Sequence, residues 1–243
     1  VTEASTIPLA ALTASLALYS ILGLPPPWSP TETENPVLIY GGSSAVGAFA
    51  IKLARISNLH PIITVAGAGG NYVSSLLDAS KGDVLIDYRR GPEAVKSEIQ
   101  TNLLGRRKLE FAFDAISEKG SSKICAAVLT EGGKLAHTLP LEAGVELSEH
   151  TTASLVMSGD IHGSFGEHQE QREFGSKMMR LFGRGLEEGW FSGHPYEVVP
   201  GGLDAVERIL QDLKAEKASA KKFVFRISDT EGLEGRASMA SFT

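Results

Sequence analysis

Two hydrophobic periods alternate along this chain. After a Pro-rich break at 25–27, short aliphatic runs recur, separated by stretches whose apolar residues return every three or four positions. The runs at 36–40 (PVLIY), 61–66 (PIITVA), 83–88 (DVLIDY), 109–115 (LEFAFDA) and 132–138 (GGKLAHT) read as strands, with a sixth expected within 153–158. Between them, Val46, Phe49, Ala50, Leu53 and Ala54 mark one face of a helix. Residues 72–79 read as a short helix, 92–104 open with Pro and Glu as helices do, and 121–129 continue the series. Further on, 170–189 is a long helix, 201–218 carries Leu203, Val206, Ile209, Leu210 and Leu213 on one helical face, and 221–227 is a closing strand. Strands alternating with helices pair in parallel through right-handed crossovers. The expected fold is therefore α/β, a doubly wound parallel sheet of about six strands, with a frayed tail at 229–243.

The first segment carries no charge from Ala4 to Thr31 and is strongly apolar. Pro8, Gly23 and the three prolines at 25–27 confine its helical part to roughly Leu9–Leu22, short of the ~20 residues of a membrane span. A secretory signal needs a basic start, whereas the only early charge is Glu3. A buried or interdomain helix is the better reading, and no membrane partner is expected. Composition narrows the picture further. With 243 residues, 42% of them hydrophobic, the chain can bury one sizeable core. A net charge of −6 leaves no basic excess for a nucleic-acid backbone. Cys125 is the single cysteine, which excludes an intrachain disulfide and a thiolate cage for zinc, reads as an inert core residue and fits a reducing, cytoplasmic setting.

The chemistry is concentrated at 40–55, YGGSSAVGAFAIKLAR, where small residues sit between the first strand and the helix that follows. This is the place of the dinucleotide fingerprint, here Gly42-x-Ser44-x-x-Gly47 with serine at the middle glycine. Gly41 and Gly42 allow a sharp turn. Ser43, Ser44 and Ala45 are small enough to let a pyrophosphate reach the N–H groups of the helix start, where Val46 is a further cofactor-binding candidate, and Gly47 lets helix and strand pack closely. NAD sites place Asp or Glu at the end of strand two, but no acidic residue occurs from Pro36 to Leu77. A missing carboxylate favours NADP(H). Ala66, Asn71, Tyr88 and Arg89 are candidates to line the ribose and its phosphate; Tyr88 also reads as a half-buried ring, and Arg89 and Arg90 as a solvated turn.

Four stretches make the chain resemble the medium-chain dehydrogenase/reductase superfamily in its zinc-independent branch, most closely the fungal enoyl-reductase and quinone-reductase-like members. They are EASTIPLAALTASLALY, VLIYGGSSAVGAFAIKLAR, SKGDVLIDYR and the segment from His194 to Ile227. The resemblance implies a Rossmann-like cofactor domain at 36–190, a linker helix and remnant of a GroES-like catalytic domain at 1–35, and a return segment at 191–228. Most of the N-terminal GroES-like domain has no counterpart, so a fragment or a shortened form is expected. It also implies transfer of a hydride from NADPH to an activated C=C bond of a small-molecule or thioester substrate, or to a quinone. A non-catalytic NADPH-binding module docking to a synthase partner is the alternative. Zinc is disfavoured, because PLAALT offers no ligand where zinc-dependent members carry one. His162 and His168 are a weak candidate metal pair in a Gly-rich loop.

By the same resemblance Thr13 lies near the nicotinamide as a positioning residue; a helix threonine bonding back to its own backbone is the competing reading. Ala115 and Ile116, at the end of strand four, pack near the ribose or nicotinamide, while Asp114 either joins them or caps the next helix. Lys222 stands where relatives keep a basic residue near the cofactor. The apolar stretch SLVMSGDIHG is a place where edge strands of a homodimer would pair.

Overall fold

The computed structural model describes residues 2–103, 108–162, 169–215 and 217–233. Six strands form one parallel sheet: β1 (Val37–Tyr40), β2 (Ile62–Ala66), β3 (Val84–Asp87), β4 (Phe111–Asp114), β5 (Lys134–His137) and β6 (Thr152–Leu155), in the order β3-β2-β1-β4-β5-β6. Every pairing in it is parallel. β1 and β2 are buried throughout, because helices cover both faces. That is why their sequences are continuous aliphatic runs rather than alternating ones. The order reverses at β1, whose neighbours are β2 and β4. At its carboxyl end Tyr40 sits between Val65 and Asp114.

Seven α-helices accompany the strands among the described residues: α1 (Pro8–Ser15), α2 (Ala45–Ile56), α3 (Gly70–Leu76), α4 (Pro92–Leu103), α5 (Ser121–Val128), α6 (Gln169–Glu188) and α7 (Val206–Lys214). Residues of α1, α2 and α6, among them Leu12, Phe49 and Phe182, build the core on one face of the sheet. Val95 and Ile99 of α4 and Ile124 and Cys125 of α5 build the other. The uncharged first segment is thus a buried helix packed against α2, and it continues as a π-helical segment over Leu16–Ile21. No helix among the described residues is long and apolar enough to cross a membrane.

The closing strand, β8 (Lys222–Phe225), lies in a second sheet, paired in parallel with β7 (Tyr196–Val199), a strand the pattern did not announce. Two expectations change. The helix expected over 201–218 shortens to α7, because Gly201 and Gly202 have φ of +92° and +54° and lead into a 3₁₀ turn first. The first residues of the tail are held rather than frayed, while 234–243 lie outside the described residues. Thr230 Oγ1 accepts the Leu203 N–H at 2.9 Å, and the Asp204 carboxylate accepts the Glu231 N–H at 3.2 Å.

Candidate functional site

The turn after β1 is fixed by its backbone. Gly41 adopts φ +89°, and the N–H groups of Gly41 and Gly42 both donate to the Val65 carbonyl, at 2.9 and 3.0 Å. Ser44 is the N-cap of α2, and its Oγ accepts the Gly47 N–H at 3.0 Å. A serine at the middle position of the fingerprint therefore has its own work, satisfying one of the orphan donors of the helix start. The first-turn amides of Ala45 and Val46 have no intrahelical acceptor and remain open to an anion. Two glycines are required by contact. A Cβ on Gly42 would run into the Thr64 hydroxyl, and one on Gly47 into the Gly41 carbonyl. Ser43, Ser44, Ala45 and Val46 form the half-exposed lip of this otherwise buried turn.

One side of the lip is the end of β2. Ala66 is buried, and Gly67 lies under the ring of Tyr88, which is 51% exposed. Gly69 is wedged between Ser43 and Ala220, so the segment just before β8 reaches the turn. Asn71, in the first turn of α3, is exposed. Arg89 is engaged elsewhere: its guanidinium makes a bidentate pair with Asp87 at 2.6–3.0 Å and holds that carboxyl down to about 2. Arg90 pairs with Glu98 at 2.7 Å.

The other side is the end of β4. The Ala115 N–H donates to the Tyr40 carbonyl at 3.0 Å, and the Ile116 side chain covers the α-carbon of Gly41. Asp114 is fully buried and acts as a hub. It accepts from the N–H groups of Ile116 (3.0 Å) and Ser117 (2.8 Å) and from the hydroxyls of Ser121 (2.7 Å) and Ser122 (2.8 Å). It thereby shapes the β4 loop and anchors the start of α5.

Gly42 to Gly47, Ala66, Ala115 and Ile116 thus come together at one edge, with Tyr88 and Asn71 at its β2–β3 end. Two other expected residues are held by different bonds. Thr13, only 8% exposed, donates its hydroxyl to the Leu9 carbonyl at 2.8 Å. Lys222 directs Nζ to the Thr6 carbonyl at 3.2 Å, and burial lowers its pKa. Of the suggested histidine pair, His168 lies outside the described residues. Among the described residues, Glu131, Glu149 and His150 are the one cluster geometrically able to hold a cation; they are exposed and lie at the amino ends of β5 and β6. Cys125 is buried, and burial raises its thiol pKa. Grooves of about 320 and 550 Å³ lie elsewhere, the first beside Arg55, His60 and Trp190, the second beside Pro36 and Phe111.

Pattern reading missed a polar cluster where the return segment crosses α2. Lys52 Nζ donates to the Ser192 carbonyl (2.9 Å), Ser192 Oγ (3.0 Å) and the Gly193 carbonyl (2.8 Å). Glu3 accepts the Gly193 N–H at 2.7 Å, and Thr6 Oγ1 the His194 N–H at 3.0 Å. His194 Nδ1 and the Tyr72 hydroxyl are buried without a partner among the described residues. Burial, with Lys52 and Lys222 nearby, moves His194 down to about 4. The available signal was a lysine three positions after Phe49, inside the apolar stripe of α2.

Burial lowers Lys52 from 10.5 to about 8, against a smaller opposing pull from Glu3. Between those two values the unfolded chain binds more protons than the folded one, so stability is expected to rise with pH from about 8 to about 10; Lys222 acts with the same sign. Thermal melts across that range should show the rise, and Lys52→Met should flatten it. An equally steep rise in the variant would show that Lys52 is not its source.

No protein-family model matches the sequence. Curated relatives do. The chain is 43% identical to trans-enoyl reductase fsr4 of Gibberella fujikuroi over 202 residues, covering 82% of this chain and 58% of the relative. It is 31% identical to trans-enoyl reductase ACTTS2 of Alternaria alternata over 229 residues, covering 93% of this chain and 64% of the relative. It thus spans about three fifths of the length of these relatives. Among solved structures, CurK enoyl reductase superposes with a TM-score of 0.68 at 17% identity, covering 91% of this chain and 62% of that one. Mycobacterial Rv1454c, solved complexed with NADPH, gives 0.64 at 16% identity, covering 90% and 62%. At these identities the structural likeness is one of fold. By sequence the chain is similar, over most of its own length, to fungal trans-enoyl reductases, in line with the resemblance its motifs carry.

Proposed function

We propose that the protein is an oxidoreductase that binds NADPH across the carboxyl edge of the sheet and reduces an activated C=C bond of an enoyl or enone substrate without zinc. The observation that carries this is the Ser44-capped, glycine-packed turn at the point where strand order reverses, beside a β2 end with no carboxylate. The names of the trans-enoyl reductase relatives support the reaction class.

When bound, the reduced nicotinamide supplies the hydride. The chain's own residues do the rest. The amides of Ala45 and Val46 at the α2 N-terminus meet the pyrophosphate. Ala115 and Ile116 form the wall on the β4 side, and Tyr88 and Asn71 meet the 2′-phosphate. Arg89 joins them only by leaving Asp87. The stretch 8–13 holds no metal ligand, so hydrogen-bond donors must meet the enolate oxygen. Thr13 serves there as a donor only if its hydroxyl releases the Leu9 carbonyl; in the bonded state it offers lone pairs alone.

Fluorescence titrations with NADPH and NADH test the reading. NADPH should bind more tightly by roughly tenfold to a hundredfold, the worth of charge-assisted bonds to one phosphate. Preference for NADH would overturn the 2′-phosphate argument. Turnover assayed with enoyl thioesters, enones and quinones then decides the acceptor, and activity confined to quinones would replace C=C reduction.

A further inference from the structure

His137 is a histidine that neither the turn nor the reaction has yet used. It ends β5, at the same level of the carboxyl edge as Tyr40 on β1 and Asp114 on β4. The half-sheet β4-β5-β6 lies beyond the reversal point, opposite the half that carries the glycine turn and the β2 loop. A doubly wound sheet offers one mononucleotide site per half. The second half therefore faces the nicotinamide end of a dinucleotide whose adenosine end lies over β2.

The ring's proton arrangement follows from its contact. Nδ1 is 2.7 Å from the Leu139 carbonyl, and the residue is 5% exposed. A carbonyl can only accept, so Nδ1 carries the hydrogen, and Nε2 of the neutral ring is a bare acceptor. The nearest acidic group on the adjoining strand does not engage it. All the hydrogen bonds of Asp114 come from Ile116, Ser117, Ser121 and Ser122. The loop around the imidazole is also held: the Thr138 N–H donates to Ser117 Oγ at 2.9 Å, which ties the β5 end to the β4 end. The Val156 N–H donates to the His137 carbonyl at 2.8 Å, which fixes its backbone from the β6 side. The result is a rigid, tautomer-locked acceptor at the edge of the second mononucleotide site.

We propose that His137 is the positioning residue for the reacting end of the cofactor, its Nε2 accepting an N–H of the nicotinamide carboxamide. This rests on the reading of the edge as an NADPH site, and it adds what orients the ring. A carboxamide held this way fixes the rotation of the ring about its glycosidic bond, and with it the face that is presented to the substrate.

The test compares NADPH with adenosine 2′,5′-bisphosphate, which shares the adenosine half and lacks the nicotinamide. Binding of both is measured for the parent protein, His137→Leu and His137→Gln. Leucine keeps bulk and removes the acceptor, whereas glutamine restores an acceptor oxygen. The expected result is NADPH binding weakened roughly threefold to tenfold in His137→Leu and largely restored in His137→Gln, with the bisphosphate bound alike by all three. Unchanged NADPH affinity in His137→Leu overturns the proposal. So does a parallel loss for both ligands, which marks a structural role, and so does a failure of glutamine to restore. If the parent protein binds the bisphosphate but gains nothing from NADPH, the ring is not held at this edge, yet the adenosine site stands. If it binds neither, the cofactor reading itself falls and takes this proposal with it.

Discussion

Replacing Gly47 by valine is expected to abolish dinucleotide binding and to lower stability by about 3 kcal/mol, or roughly 6–12 °C in melting temperature for a chain of this size. The reason is where the new atoms would go. A Cβ at Gly47 would occupy the Gly41 carbonyl, and its next neighbours are the Gly41 carbonyl carbon at 2.8 Å and the Gly42 α-carbon at 3.1 Å. All are backbone atoms, so no side chain can swing aside. Either α2 lifts from the turn, or the turn deforms and loses the paired bonds from Gly41 and Gly42 to Val65. Both routes also displace Ser44, whose Oγ holds the Gly47 N–H. A control separates this from a general intolerance of glycine substitution. Gly183 lies within α6 with nothing near the position of a Cβ, so Gly183→Ala should stabilise by about 0.5–1 kcal/mol. Titration with NADPH and a thermal melt decide the matter. Gly47→Val with unchanged melting temperature and affinity would show that the close packing is not required.

Asp114→Ala should be comparably damaging, at about 3–5 kcal/mol. Its carboxylate receives two backbone N–H groups and two serine hydroxyls, and the side chain is fully buried. Removing the acceptor leaves those donors in a dry place, where each lost bond carries a desolvation cost. The effect extends to binding, because the same bonds hold the loop carrying Ala115 and Ile116. Asp114→Asn should fall between the two. Its carbonyl oxygen still accepts, but its amide donors point at donors. Chemical denaturation of the three proteins gives the order directly, and an Asn variant as stable as the parent would mean that the carboxylate charge contributes little. Ser121→Ala and Ser122→Ala, each removing one donor along with its need for a partner, should cost far less than the loss of the acceptor.

Asp114 also shows where reading from sequence reaches its limit. That an acid at the end of a strand could cap the next helix was legible from its place alone. That it gathers four donors was not, because Ser121 and Ser122 are aligned with it only once α5 has packed beside β4. The same holds for Lys222. Its position at the start of a strand was legible, but its bond to the Thr6 carbonyl joins residues 216 positions apart. The return segment is the clearest case. Tyr196–Val199 is a four-residue run that is exposed at its start, between Pro195 and Pro200, too short to carry a periodicity; it becomes a strand because Lys222–Phe225 supplies its partner. Arg89, a candidate for the phosphate on charge alone, is held by Asp87, which lies two positions away; the distance in sequence was small, but the bidentate geometry is a property of the fold.

By itself the sequence determined the parallel α/β sheet, the strand–turn–helix that carries the fingerprint and the absence of a carboxylate after β2, because each is written in local periodicity and in residues adjacent along the chain. Only the tertiary structure decided that Asp114 is a hub joining β4 to α5, that Lys52 bonds the return segment at Ser192 and Gly193, next to His194, and that Lys222 reaches the Thr6 carbonyl. Those facts depend on hydrogen bonds between residues brought together by packing, and burial is what makes such bonds costly to lose.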